Sequence, residues 1–313
     1  LALGFAEFDT EMALQGYIGA LVLPVVDVAE EFGTYGVQPI EEAKRNVNIA
    51  RASGGEYAGG RLRYEPRTYA TKEYGYTVEV DRRNAKLYGS FLAAEQMAAG
   101  LARDVLLTEY EKRVAAAVFN ATTWTGASLT TGVTNEWDDF VNADPVGDVG
   151  AAMGVLFANS GLIANTVIVN WKVYNNMRRC AKLVEYIKYN GLLDARVGNI
   201  TGAVIAQALG VAQLLVAGAV KNTAAEGAAK ALSSVWSDEY AMVAYIDPRR
   251  DGNMARATLG RTIHWTGDGS LIGGMIDEYA SESRRADFVR ARHDVYEDVA
   301  YVEAGHLLSN ITT

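Results

Sequence analysis

Residues 61–81 read RLRYEPRTYATKEYGYTVEVD. Even positions carry Leu62, Tyr64, Tyr74, Tyr76, Val78 and Val80, while odd positions carry Arg61, Arg63, Glu65, Arg67, Glu73, Glu79 and Asp81. A period of two is the signature of extended backbone with one apolar and one wet face. At roughly 3.3 Å per residue, one ribbon of this length, interrupted near Pro66, would reach on the order of 60 Å, beyond the width of a small domain. Residues 45–52 offer an antiparallel partner, with Gly54, Gly55, Gly59 and Gly60 as the tip. A lone two-stranded ribbon is marginal in water, so the pattern predicts that it lies against something, most economically a neighbouring copy of the chain.

Charge is distributed unevenly around this ribbon. Residues 1–43 hold eight acids and no lysine or arginine, whereas residues 44–86 hold ten bases and five acids. An acidic arm thus precedes a basic segment, as complementary surfaces of a self-assembling subunit would require. A nucleic-acid face is the competing reading. The overall charge of −9 argues against a diffuse grip on phosphates, and Tyr64, Tyr74 and Tyr76 share the apolar face rather than interleaving with the arginines.

Downstream, residues 84–120 contain no proline and repeat apolar residues at steps of three and four: Leu87, Phe91, Ala94, Ala98, Leu101, Val105. This predicts a long strut helix, with Glu95, Arg103, Asp104, Glu109, Glu111, Lys112 and Arg113 on its wet faces. Beyond a polar loop at 120–135, shorter elements alternate. Helices are expected at 149–159, 171–183 and 201–209, and strands at 167–169, 213–217, 233–246 and 261–265, before residues 287–311 alternate again. The fold class is α+β. The uncharged run 197–220 is punctuated by Gly198, Gly202, Gly210 and Gly218 and holds Gln207 and Gln213, which predicts a helix and a buried strand rather than a membrane span.

Catalytic constellations are missing from this pattern. Residues 267–273 (GDGSLIG) lack dinucleotide-fingerprint spacing, and no phosphate loop or nucleophile elbow occurs. His264, His293 and His306 stand apart from one another, and the single cysteine, Cys180, excludes an internal disulfide. Three histidines and one cysteine cannot build a Cys/His zinc cluster, so neither a metal nor a cofactor is expected.

The order of arm, ribbon, strut helix, inserted α+β unit and returning strand resembles the major capsid protein of tailed bacteriophages, whose fold is shared with encapsulins and the herpesvirus capsid floor. Local sequence is similar in the same order: SGLIANTVIV at 160–169 followed by WKVY at 171–174, ALGV at 208–211, VKNTAAEG at 220–227, VW at 235–236, AYIDP at 244–248, LGRTIHW at 259–265 and AGHLLSN at 304–310. The resemblance implies an N-terminal arm at 1–35, an extended β-hairpin loop at 36–82, a peripheral domain with a spine helix at 83–159 and 281–313, and an axial domain at 160–280. It further implies a subunit that assembles in a bacterial host's cytoplasm, as hexamers and pentamers, into an icosahedral virion head around double-stranded DNA. Portal, scaffold and decoration proteins would be further partners, contact with packaged DNA would be weak, and no membrane would be involved. Intersubunit contacts would fall on Arg51, Arg61, Arg63, Arg67 and Lys72 of the extended loop and on Glu30, Glu31, Glu41 and Glu42 of the acidic segment. An encapsulin-type compartment is the nearest alternative, and a soluble enzyme with an unrecognised site is the alternative of another class.

Overall fold

The computed structural model describes residues 16–51, 53–61, 63–88, 93–189, 200–225, 227–247, 249, 254 and 256–313. The first fifteen residues of the expected arm lie outside this set, as do Leu62, Phe91 and Gly198. A short helix α1 (Gly19–Val22) leads into β1 (Val25–Val28) and β2 (Phe32–Val37). After α2 (Ile40–Ala43) the described residues form no helix or strand until β3 (Glu65–Ala70) and β4 (Lys72–Asp81). Helix α3 (Arg82–Tyr88) and the 25-residue α4 (Ala94–Val118) follow. Next come β5 (Thr130–Gly132), α5 (Pro145–Ser160), β6 (Thr166–Asn170), α6 (Trp171–Met177), α7 (Ala181–Tyr189), α8 (Gly202–Leu209) and β7 (Gln213–Ala217). A small hairpin, β8 (Val220–Asn222) with β9 (Leu232–Ser234), precedes β10 (Ala241–Ala244) and β11 (Arg261–Trp265). The chain ends through β12 (Met275–Ser281), the thirteen-residue β13 (Ala286–Asp298) and β14 (Gly305–Ser309).

Two five-stranded sheets organise these elements. In the first, β13 is the trunk: β4 runs antiparallel along it from Ala286↔Asp81 to Val295↔Lys72, so the opposite edge is left to β12 and then β11, which carries β1 in parallel. The second has the order β5-β14-β10-β6-β7. Both of its faces are covered, so β6 is buried at every position: Val167 and Val169 face a core closed by α5, α7 and α8, while Ile168 faces α1 and the C-terminal half of α4. Strand β14 pairs with β10 inside this second sheet, and β11 and β12 belong to the first. The sheets therefore interleave across the boundaries expected at 160 and 281.

The ribbon departs from its expected form. It is two strands with two partners: β3 pairs with β2 from Val37↔Glu65 to Phe32↔Ala70, and β4 pairs with β13. The change occurs at Thr71, whose backbone and hydroxyl both donate to the Glu31 carbonyl. Residues 45–51 form no strand, which corrects the expected hairpin partner. The true partner, Phe32–Val37, alternates as well and offers glycine where the tyrosines need room. A Cβ on Gly33 would lie 2.8 Å from the Tyr69 hydroxyl, because that ring covers the glycine across the ladder.

The strut helix forms over 94–118, with α3 at the start of the expected range, and its buried stripe keeps Ala98 but otherwise shifts from the expected one. Leu87 and Leu101 are exposed, while Ala98, Ala99, Ala102, Leu106, Tyr110, Val114 and Val118 are buried. Small alanines bring the helix close to the sheet at Val80, Val289 and Ala291, so large side chains do not mark the contact face. Residues 171–183 make two helices rather than one, broken at 178–180, and the expected strand at 233–246 is interrupted between β9 and β10. Thr201 stands at the N-cap of α8 without a side-chain capping bond.

Glu111, expected on a wet face, is 1% exposed. Its carboxylate accepts hydrogen bonds from Ile18 N at 3.0 Å, Gly19 N at 2.7 Å and Trp236 Nε1 at 2.7 Å. A Cβ on Gly19 would lie 2.7 Å from Oε2, so glycine is required for the approach. Burial pushes the Glu111 pKa up, and the three donors oppose that shift. Glu111→Ala would strand these donors in the core and is expected to destabilise the fold by about 3 kcal/mol in urea denaturation. A loss under about 1 kcal/mol would show that α1 docks without the carboxylate.

Candidate functional site

Between β2 and β3 the chain makes an outward excursion over residues 38–64. Every described side chain from Arg45 to Tyr64 is exposed, among them Ile49 (79%), Tyr57 (75%) and Tyr64 (63%). Apolar side chains in such a run find no cover in their own chain. Gly54, at φ +81°, turns the backbone at the tip. Beside it Arg51 Nε donates to the Gly55 carbonyl at 2.6 Å, and its guanidinium stacks 4.7 Å from the centre of the Tyr57 ring.

The charges expected to meet neighbours are placed differently from one another. Glu42 pairs with Arg63 at 3.4 Å and Arg45 at 3.5 Å across the stem of the excursion, contacts worth under about 1 kcal/mol at such exposure. Arg67 is committed within its own chain: it donates to both Asp298 oxygens, at 3.3 and 3.2 Å, and to the Val299 carbonyl at 2.9 Å. Tyr35 donates a short hydrogen bond to the same Asp298, and burial followed by that carboxylate raises its hydroxyl pKa. Arg61 and Lys72 are exposed and make no ion pair among the described residues, and the same holds for the side chains of Glu30, Glu31 and Glu41. The backbone carbonyls of Glu30 and Glu31 accept from Tyr69 and Thr71, and both residues are exposed.

The root of the ribbon is a polar cluster that the sequence pattern does not reveal. His293 on β13 is fully buried. Its Nδ1 donates to the Ile272 carbonyl at 2.9 Å, which leaves Nε2 to accept from Arg113 Nη2 at 3.4 Å. Arg113 lies 3.7 Å over the Tyr74 ring and pairs with Glu297 at 2.9 Å, and Tyr110 packs edge-on against the imidazole. Only for the separate buried Glu111 was a signal available: position 111 adjoins Tyr110 in the stripe 106-110-114-118, which places it on the inward side. His293 and Arg113 carried none, since their partners are remote in sequence.

Beside the middle of α4 lies a cleft of about 1040 Å³, lined by Ala20, Asp27, Leu107, His264, Leu271 and Met275 among others. At its wall His264 Nδ1 meets Asp27 Oδ1 at 2.8 Å and Nε2 meets Ser270 Oγ at 3.2 Å. This has the connectivity of a Ser-His-Asp triad with exposure reversed, because Asp27 is 68% exposed while Ser270 and His264 are buried. A nucleophile must reach substrate, so the chain of bonds works as a latch tying β1 to β11 and to the 266–270 turn. His306 is likewise structural, held by the Ser128 carbonyl and the Thr131 hydroxyl. Cys180 is buried against the carbonyls of Trp137 and Asn176, and burial pushes its thiol pKa up to about 12. Among the described residues no cluster of histidine, cysteine and carboxylates could hold a metal ion, and no helix is long and apolar enough to cross a membrane.

Two interleaved sheets, a spine helix across them and a loop projecting from one end define the α+β fold of tailed-phage major capsid subunits, which encapsulin shells share. A phage-related protein from Bordetella bronchiseptica RB50 matches with a TM-score of 0.69 at 16% identity, over 95% of this chain and 92% of that one. The mature capsid of bacteriophage PhiM1 matches at 0.56 and 13%, over 94% and 86%, and the SrpI encapsulin of Synechococcus elongatus at 0.51 and 14%, over 94% and 87%. By sequence, no family model and no curated protein matches.

The ribbon's root should respond to acid. Burial first, with the nearby Arg113 charge, lowers the His293 pKa from 6.5 to about 4. In that window the unfolded chain binds a proton that the folded chain refuses, so stability present above pH 6.5 is lost as pH falls toward 4. The expected loss is about 3 kcal/mol in denaturation at the two ends of the window. His293→Gln should flatten that slope, and an unchanged slope in the variant would assign it to other groups.

Proposed function

We propose that this chain is the structural subunit of a closed protein shell, assembling as hexamers and pentamers into an icosahedral phage head around double-stranded DNA. The observation that carries this reading is the excursion at 45–64, exposed at every described residue and bearing Ile49, Tyr57 and Tyr64 away from its own core, on a fold whose solved examples include a mature phage capsid. Obligate interfaces bury roughly 2,000 to 5,000 Å², and a projecting loop adds contact area without enlarging a core. Arg61 and Lys72 are among the loop's cations that make no ion pair among the described residues, and Glu30, Glu31 and Glu41 are carboxylates in the same condition. Copies placed side by side would match the two sets, with Arg51 and Arg63 stiffening the tip and stem. A net charge of −9 suits a wall from which packed DNA is not to be adsorbed. Portal, scaffold and decoration proteins would be further partners of such a head, in a virion built in the host cytoplasm.

An encapsulin-type compartment is the second reading, favoured by the cleft beside α4, whose apolar walls suit a short peptide segment. Purified particles separate the two: nuclease-protected DNA indicates a head and copurifying enzyme indicates a compartment.

Deleting residues 53–60 is expected to leave a folded subunit that forms no shells by negative-stain microscopy and sedimentation, and normal particles from it would overturn the proposal. The pair Arg61→Glu and Lys72→Glu should shift stability by less than about 0.5 kcal/mol while lowering shell yield at least about tenfold. Full yield would reject the electrostatic part alone.

A further inference from the structure

The outer face of β13, turned away from His293 and α4, holds more acid than base. Arg292 pairs there with Asp277 at 2.8 Å, with Glu73 at 3.7 Å and, through a shorter bond, with Asp268. Arg290 turns to the same Asp277 at 2.9 Å. Two residues after Arg292, Asp294 comes to this face as well. It is 5% exposed and makes no hydrogen bond or ion pair among the described residues. Like charge approaches it from three sides: Glu73 stands directly opposite in the ladder with β4, Asp268 comes from the turn after β11, and Glu31 from the residues ahead of β2. Arg292, already shared among three carboxylates, is the cation that acts on it. Lys72 alternates to the other face, opposite Val295.

An ionised carboxylate in this setting needs a cation or gives way to a proton. Among the described residues no group of histidine, cysteine and carboxylate side chains could hold a metal ion, and burial, followed by Asp268 and Glu73, raises the Asp294 pKa. The proton is the relief that remains. It acts at a mechanical point, because Thr71, two residues before Glu73, donates its N–H and hydroxyl to the Glu31 carbonyl where the ribbon passes from β13 to β2. Glu31 and Glu73, both repelling Asp294, thus flank that crossing. We propose that the crossing is a proton-operated clasp: in mild acid Asp294 is neutral and Thr71 stays bound to Glu31 beside β13, whereas toward neutral pH its charge repels Glu31 and Glu73 and weakens the clasp. The clasp sets how firmly β2 and β3 sit on the trunk, and it lies within one chain, so it stands apart from the shell reading. A carboxyl whose pKa is raised on folding stabilises in acid, and that contribution fades as pH rises from about 4 through the folded value. His293 runs the opposite way, so the two partly offset each other in global stability.

Hydrogen exchange of the Thr71 amide in the full chain, corrected for the intrinsic pH dependence of exchange, reads the crossing itself. Its protection is expected to be at least about fivefold higher at about pH 5 than at about pH 7.5, a ratio that Asp294→Asn should abolish. Glu79→Gln, on the same face of β4 but paired with Arg284, should keep the ratio. A smaller ratio in the unmodified chain, or one that survives Asp294→Asn, would overturn the clasp. Should Asp294→Asn fail to fold, the exposed Glu73→Gln decides, because removing that charge lowers the pH at which Asp294 gives up its proton. A reduced ratio in Glu73→Gln supports the clasp, and an undiminished one removes it.

Discussion

A carboxylate placed in the interior of a protein is stable only when its oxygens are met by donors, and Glu111 draws its three donors from two distant parts of the chain. Two come from the backbone entering α1, about ninety residues earlier, and the third comes from Trp236, just ahead of β10 in the second sheet. The spine helix, the incoming N-terminal segment and the second sheet are thereby fixed to one another at a single point. Around it lies the aromatic and aliphatic core of Phe119, Trp124, Ile168 and Met242. Non-directional packing could tolerate small shifts of α4 over the sheets. Three directional bonds to one group cannot.

From that fixed centre the outward elements follow. Strand β13 is pinned to α4 through Arg113, His293 and Tyr110, and β4 is zipped along ten residues of β13. The stiffness of the ribbon's root therefore comes from the same helix that holds the arm. Beyond Thr71 the ribbon leaves that ladder for β2, tied to the end of β13 through Arg67 and Tyr35 at Asp298, and beyond Tyr64 no described residue of the excursion lies in a strand. Support thus declines stepwise from core to tip. An element that must hold its direction yet adapt to a neighbour's surface needs this gradient, since a uniformly rigid projection would tolerate only one subunit orientation.

Much of this was legible in residue order. The strands at 213–217 and 261–265 were readable to the residue, because Gly210 and Gly218 bound the first and Gly260 and Gly267 the second, and the alternation through β4 gave Val78 and Val80 one apolar face, which meets the chain's own helix rather than a neighbouring copy. The stripe of α4 was misread because its contact face is made of alanine, which a search for large apolar residues passes over. The partner of β3 was misread because proximity in sequence favoured 45–52, whereas ring-on-glycine complementarity selected 32–37. Strand β12 went unnoticed because its residues are at best half-buried, and its polar pattern resembles a loop. For the loop cations composition indicated the segment, but only coordinates separate Arg67, spoken for by Asp298, from Arg61 and Lys72.

Cys180 sits behind Trp137 with its thiol far from ionisation at neutral pH. Thiol reagents act on the thiolate, so the native chain offers them a silent background. A cysteine introduced at Tyr57 or Ile49 would then be the sole reactive handle, and a fluorophore or crosslinker attached there would report on the projecting tip without protecting groups or a cysteine-free parent.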